Sequence, residues 1–338
     1  MSQYITETWY VAAWSEEITG KPISRTICGK PVVLFRSDGE AIALHDACAH
    51  RQYPLSAGTV IDGHLRCGYH GFEYGADGVC VRVPGQDVIP GNTHVRAYPV
   101  VERDGWVWIW PGDPDNADRE SIPATTWLSD PEWDGVRFTN RYECSSGLLH
   151  DNLLDLTHEA FLHESSIGDE AVFTNGITVE VTAAAVVVDR FMPRCHPSDL
   201  YVTAMGVKPP VDRWHTTEFN LPNLHVIHCG VGQPGASRKD GYHLEVLNAI
   251  TPESETSCHY FYANVRDFAI GDEQINGIMR ASLEKVLEED RFALEKQQAV
   301  LDAGNAGGPD RLIAQDAGVA RARRMLRQMI EAENRERQ

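Results

Sequence analysis

Between residue 5 and about residue 110 the apolar residues fall in short runs separated by turn formers, the pattern of strands rather than helices. KPVVLFRSDGEAIALHD (30–46) reads as a hairpin turning at Ser37-Asp38-Gly39. GFEYGADGVCVRV repeats the pattern around Asp77-Gly78, and VRAYPVVERDGWVWIWPGD around Arg103-Asp104-Gly105. Trp106, Trp108 and Trp110 alternate, which sets three indoles on one face of a strand as core or inter-domain packing. The first third of the chain is therefore expected to be all-β. GDPDNADRESIP (112–123) is polar and rich in breakers and reads as a linker.

Beyond it the pattern changes. Residues 141–144 look extended, and LLHDNLLDLTHEAFLHES (148–165) has helical character. Strand-like segments follow in ITVEVTAAAVVVDRF, LHVIHCGV, YHLEVLNAI and SCHYFYANV. Residues 275–301 and 313–333 carry helical periodicity, with GNAGGPD between them as a breaker. The fold class is α+β: an all-β domain over 1–112, then a domain of β-sheet plus helices over 113–338.

A chain of 338 residues exceeds one small core and suits two domains. The net charge of −19 makes nucleic acid and anionic membrane poor partners. An anionic substrate would need a locally neutral or basic pocket. No apolar run is long enough to span a bilayer, the longest lying around 181–188. The N-terminus has no basic segment followed by an apolar one, so a cytoplasmic location is expected. The eight cysteines are scattered, and in a reducing compartment most are small buried hydrophobes. Cys48 and Cys67 differ, because a histidine lies two or three residues beyond each.

Cys48-x-His50 and Cys67-x-x-His70 are separated by 16 residues. Structural zinc sites commonly use C-x2-4-C or H-x3-5-H pairs closed by four ligands. Two mixed pairs suit instead a [2Fe–2S] cluster with two thiolates on one iron and two imidazoles on the other. Gly68 and Gly71 allow backbone N–H groups close to the sulfides. The spacing resembles the Rieske motif, C-x-H-x(15–17)-C-x-x-H. In respiratory Rieske proteins two further cysteines form a disulfide beside the cluster. Those positions here are Tyr53 and Tyr69, so the resemblance is to the soluble oxygenase or ferredoxin type.

A second set of metal donors lies in NLLDLTHEAFLHE, with Asp155-x-x-His158-x4-His163. Two imidazoles and a carboxylate are the donor set of non-haem Fe(II) oxygenases. Histidines five apart are splayed by about 140° on a regular helix, so convergence needs a helix end or a distortion. Downstream, LEEDRFALEKQQ offers Glu288, Glu289 and Asp290, and the residues alone do not choose among them; Asp151 and Glu164 are nearer carboxylates.

The segment resembles the Rieske oxygenase pattern N-x2-D-x2-H-x4-H, through Asn152, Asp155, His158 and His163. That resemblance implies a mononuclear iron held by His158, His163 and Asp290, with Asp155 carrying electrons between subunits and Asn152 beside it. WYVAAWSEEI, VPGQDVIPGNTHVRAYPVVERDGWVWIWPGDP, TPESETSCHYFYANVRDF and DAGVARARRML look like the vanillate O-demethylase oxygenase group, which extends the similarity over nearly the whole chain. The group implies a head-to-tail homotrimer and electrons that arrive from NADH through a flavin and iron–sulfur reductase, with or without a ferredoxin. It also implies O2 as oxidant and hydroxylation of a methyl group on a small aromatic substrate. A methoxylated aromatic acid such as vanillate would give a phenol and formaldehyde. Methyl hydroxylation or ring dihydroxylation of another aromatic acid or sulfonate, and a pure electron-transfer protein, are the alternatives. By alignment with the group, His225 and Asn248 are candidate substrate contacts.

Overall fold

The computed structural model describes residues 3–164, 166–197, 199–304 and 307–337. Asn305 and Ala306 of the expected helix breaker lie outside the described residues. The chain divides into two compact units, one of residues 4–122 with 251–254, the other built mainly from 123–250 and 255–338.

The first unit is made of strands β1 (Tyr10–Trp14), β2 (Ile23–Ile27), β3 (Lys30–Ser37), β4 (Glu40–His45), β5 (Thr59–Ile61) and β6 (His64–Arg66). It continues with β7 (Glu73–Tyr74), β8 (Cys80–Arg82), β9 (Ala97–Tyr98), β10 (Val100–Arg103) and β11 (Trp106–Ile109). They form three antiparallel sheets in the orders β1-β11-β10, β2-β3-β4-β9 and β5-β6-β7-β8. Two-residue turns set several registers. Asp38 and Gly39 both have positive φ, as do Asp104 and Gly105, the conformation that matches the twist of a hairpin. Cys28-Gly29 and Asp62-Gly63 make the same turn.

The tryptophan strand β11 is central in its sheet and covered on both faces, so the intervening Val107 and Ile109 are as buried as Trp106 and Trp108. Trp106 packs 5.1 Å from Trp14 and 5.5 Å from Trp108. The polar stretch 112–123 is not a free linker. Glu7 accepts from Asp113 N at 2.8 Å and Asn116 Nδ2 at 3.0 Å, and Trp9 Nε1 donates to Asp118 O at 2.7 Å. Polar composition marked it as exposed, but these bonds pin it to the first unit.

The second unit has one seven-stranded antiparallel sheet of β12 (Asp134–Tyr142), β13 (Ile177–Val181), β14 (Ala185–Cys195), β15 (Val211–Asn220), β16 (Leu224–Gly232), β17 (Tyr242–Ser254) and β18 (Ser257–Arg266), in the order β12-β18-β17-β16-β15-β14-β13. The helices are α1 (Ser146–Leu154), α2 (Glu159–Leu162), α3 (Ala171–Thr174), α4 (Asp199–Met205), α5 (Glu273–Asp302) and α6 (Ala317–Glu336). Ser145 caps α1 and Asp272 caps α5.

Helix α5 buries Met279, Leu283, Val286, Leu287, Asp290 and Leu294, a stripe at the three- and four-residue spacing of an amphipathic helix. Asp290 is the one carboxylate on that stripe, which ends in the polar Gln298. A buried carboxylate is costly unless bonded or neutralised, so Asp290 marks a site. The phase of the helix is fixed from outside as well, since the buried Tyr142 hydroxyl donates to Leu287 O at 2.7 Å. Tyr142→Phe should cost about 1 kcal/mol. Urea unfolding followed by circular dichroism measures this, and an unchanged midpoint would show the bond to be energetically neutral.

Candidate metal centres

The first centre is built from two loops with one hydrogen-bond pattern. Cys48 N donates to Tyr53 O at 2.9 Å while Gln52 N donates to Cys48 O at 2.8 Å. Cys67 N donates to Phe72 O at 2.8 Å while Gly71 N donates to Cys67 O at 3.1 Å. The fourth residue after each cysteine is left-handed, Gln52 with φ 57° and Gly71 with φ 75°. Gly68 is required for a different reason, because a Cβ there would lie 2.8 Å from Ala57 O.

The loops put the donors in two like pairs. Cys48 and Cys67 are neighbours in the interior, and His50 and His70 are exposed with ring centroids 4.5 Å apart. The Tyr74 hydroxyl lies 3.1 Å from Cys48 Sγ and accepts from Ala49 N. Burial, and then the Cys48 sulfur, push the Cys67 thiol above its ordinary value, against the pull of the Tyr69 and His70 backbone amides. Two thiols on the buried side and two imidazoles on the exposed side fit a binuclear cluster of mixed ligation. His50 stacks on Phe72 at 4.8 Å. Tyr53 and Tyr69 lie with their rings 5.4 Å apart, where respiratory relatives would place a disulfide.

The second centre starts where α1 ends. Asp155 leaves the helical region, with φ −114° and ψ 89°, and caps a single tight turn by accepting from Thr157 N at 3.0 Å and Thr157 Oγ1 at 2.6 Å. His158 closes that turn, α2 adds four residues, and His163 follows its end. The helix end demanded by the five-residue spacing is present. His158, His163 and Asp290 bring one ligand atom each within 4.8 Å of the others. Both Nε2 atoms face Asp290 Oδ1, at 3.6 Å from His158 and 3.2 Å from His163.

The Nδ1 atoms point away and are held. His158 Nδ1 donates to the backbone carbonyl of Asp155 at 2.6 Å, and His163 Nδ1 donates to Glu289 Oε2 at 2.8 Å. That tautomer leaves both Nε2 lone pairs for a metal. Burial lowers His163, yet its bonds to Asp290 and Glu289 outweigh burial and hold it above its ordinary value. Such an excess of negative partners suits a cation. Asn152 Nδ2 donates to Asp290 Oδ1 at 3.0 Å. The other downstream carboxylates have different work: Glu288 is exposed and paired with Arg291 at 2.6 Å, and Glu289 backs His163. Asp151 is taken by Arg323, also at 2.6 Å.

Beside these donors lies a cavity with about 870 Å³ of empty volume, its open mouth included. Its wall is mostly apolar, with Leu153, Leu156, Ile227, Leu244, Val246 and Leu283 among the residues, and it includes His158, His163 and Asp290. Sheet residues reach it at alternate positions, as Tyr260, Tyr262 and Asn264 do from β18. Asn248 is part of the wall, but its polar atoms are spent: Oδ1 accepts from Tyr260 OH at 2.7 Å, and Nδ2 donates to Val246 O at 3.0 Å. His225 is not in the wall. It is fully buried, stacked on Phe219 at 3.9 Å and bonded through Nε2 to His150 Nδ1 at 2.9 Å. Residues the sequence reading missed, His215 and Glu159, line the cavity instead.

Replacing Asp290 by Ala should lower iron from about three to about two per chain and leave the visible absorption of a cluster in place. Elemental analysis with absorption spectroscopy measures both. Glu288→Ala is the control and should keep all three.

Comparison with known proteins matches residues 8–99 to the Rieske [2Fe-2S] domain and residues 142–332 to the vanillate O-demethylase oxygenase C-terminal domain. The oxygenase component of dicamba O-demethylase from Stenotrophomonas maltophilia is 36% identical, covering 94% of this chain and 95% of its own. A vanillate O-demethylase oxygenase subunit from Pseudomonas sp. strain HR199 is 36% identical over 96% of this chain and 94% of its own. The crystal structure of dicamba monooxygenase bound to 3,6-dichlorosalicylic acid superposes with a TM-score of 0.94 at 33% identity, covering 98% and 99% of the two chains.

Proposed function

The chain belongs to the Rieske non-haem iron oxygenases of the vanillate O-demethylase type, and from that premise we propose that it O-demethylates a methoxylated aromatic compound. It works as the oxygenase component of a multi-component system whose electrons come from a separate reductase. The observation that carries the reading is the convergence of His158, His163 and Asp290 at the wall of a largely apolar cavity.

When bound, a [2Fe–2S] cluster and a mononuclear iron supply one-electron transfer and O2 activation. Cys48, His50, Cys67 and His70 hold the first group, with the imidazoles at the surface where a reductase can approach. A flavin and iron–sulfur reductase fed by NADH fits that role. His158, His163 and Asp290 would hold the second at the wall of the cavity. The apolar wall binds the aromatic ring and keeps water from the reacting methyl group. The substrate methyl gains an oxygen, and the resulting hemiacetal collapses to a phenol and formaldehyde. The balance is ArOCH3 + O2 + 2e− + 2H+ → ArOH + HCHO + H2O. Formaldehyde trapped in step with NADH consumption, over a panel of methoxylated aromatics and a surrogate reductase, tests the reading. An alcohol or a cis-diol without formaldehyde would replace it.

Asp155 is proposed as the electron route within a head-to-tail homotrimer. Its carbonyl, rather than its carboxylate, meets His158. The carboxylate Oδ1 is occupied by Thr157, which fixes the direction of Oδ2. Asp155→Asn should keep iron content and cluster reduction while formaldehyde output falls by at least about tenfold. Wild-type turnover in that variant would remove the role.

A further inference from the structure

One polar corner of the cavity holds a buried nitrogen that the protein leaves unmet. His215 on β15 and Glu159 on α2 both line the wall, 3% and 7% exposed. Behind His215 lies Arg213, 1% exposed, which donates through Nη1 to Asp169 Oδ2 at 2.5 Å and lies 4.6 Å from the Tyr201 ring. Its Nη2 lies 3.1 Å from His215 Nε2. A guanidinium only donates, so Nε2 must accept. Beside two buried arginines, and with burial acting first, His215 is held neutral, well below its ordinary value. A neutral imidazole that accepts at Nε2 carries its proton at Nδ1.

That Nδ1–H has no hydrogen-bond partner and is buried. Glu159 Oε1 faces it at 3.8 Å, too far for a bond. Among the described residues no donor reaches the Glu159 carboxyl. One oxygen atom to the side of the line joining them can sit about 2.8 Å from both groups. An oxygen in that place must accept from His215 and can donate to Glu159, whose carboxyl retains an acceptor in either protonation state. A hydroxyl does both. A chlorine, an ether oxygen or a bare C–H edge leaves at least one buried polar group unmet.

We propose that His215 and Glu159 together read a hydroxyl group of the substrate, so that the preferred substrates are aromatic ethers that also carry a phenolic hydroxyl. This rests on the aromatic-ether reading above and names the substrate class within it. The test compares 2-methoxyphenol, methoxybenzene and 1-chloro-2-methoxybenzene on the oxygen-free holoenzyme by titration calorimetry. Wild type should bind the phenol about tenfold or more tighter than the other two. In Glu159→Leu and in His215→Phe that ratio should collapse toward one, with Glu159→Gln retaining part of it. Iron content is followed in each variant, because Glu159 adjoins His158. His215→Phe carries the test if Glu159→Leu loses metal. Equal binding of the three compounds by wild type, or a ratio that survives both substitutions, overturns the proposal and leaves a water in the gap. Formaldehyde is scored separately, so a failure of O-demethylation with every ether is distinguishable from a failure of hydroxyl recognition.

Discussion

The catalytic unit depends on aiming three donors, two imidazole nitrogens and a carboxylate oxygen, at one point. One ligand atom from each lies within 4.8 Å of the others, and burying such polar groups is costly unless each is held by a partner. Their proximity is imposed from behind. The Asp155 carbonyl holds His158, Glu289 holds His163, and Asn152 holds Asp290. The Tyr142 bond and the apolar stripe of α5 set the height at which Asp290 arrives. The end of α1 at Asp155 is part of the same device. A continuous helix would have turned the two histidines apart, whereas a tight turn and a four-residue helix let both face one point.

The two centres were legible to different degrees because their ligands are organised over different ranges. Cys48, His50, Cys67 and His70 sit on short loops whose turn chemistry is written locally, so spacing alone carried the donor set. The same holds for the hairpins at Asp38-Gly39 and Asp104-Gly105. Asp290 is separated from His163 by most of the sheet, and three consecutive acids stood as candidates in the sequence. Helical phase distinguishes them: only Asp290 continues the series 279, 283, 286, 287. Resemblance to relatives pointed to the same residue. Strand β15 went unseen because its inward positions include Arg213, His215 and Thr217, which break the apolar alternation that announces a half-buried strand. With β15 hidden, His215 was hidden too, whereas His225 was named through alignment with the group.

Burial also gives the first centre a direction. Its thiols lie among Val33, Phe35, Leu44 and Leu65 of the core, while its imidazoles are exposed. Hydrogen bonds to the sulfur side, from the Tyr74 hydroxyl and from loop amides, tune the group where solvent cannot interfere. Of the four donors, the histidines are the ones that face solvent. The duplicated loop pattern is what makes this asymmetry possible. Two equal loops present equal donor pairs, and only the depth of each donor differs.

Charge then constrains what the cavity can recognise. The molecule carries −19, and no lysine or arginine is found in the cavity wall among the described residues. Arg213, a buried cation behind that wall, is bonded through Nη1 to Asp169 and through Nη2 to His215 and does not line the cavity. Its influence passes through the imidazole, where it fixes which nitrogen keeps the proton and so converts a full charge into an oriented neutral donor. A dipole placed this way contributes without the desolvation cost of a bare ion pair. Discrimination in such a pocket comes from whether each buried donor and acceptor finds its complement, since an unmet group costs more than a met one contributes. Shape alone would admit many aromatic rings against these leucine and valine side chains. The polar corner narrows the choice.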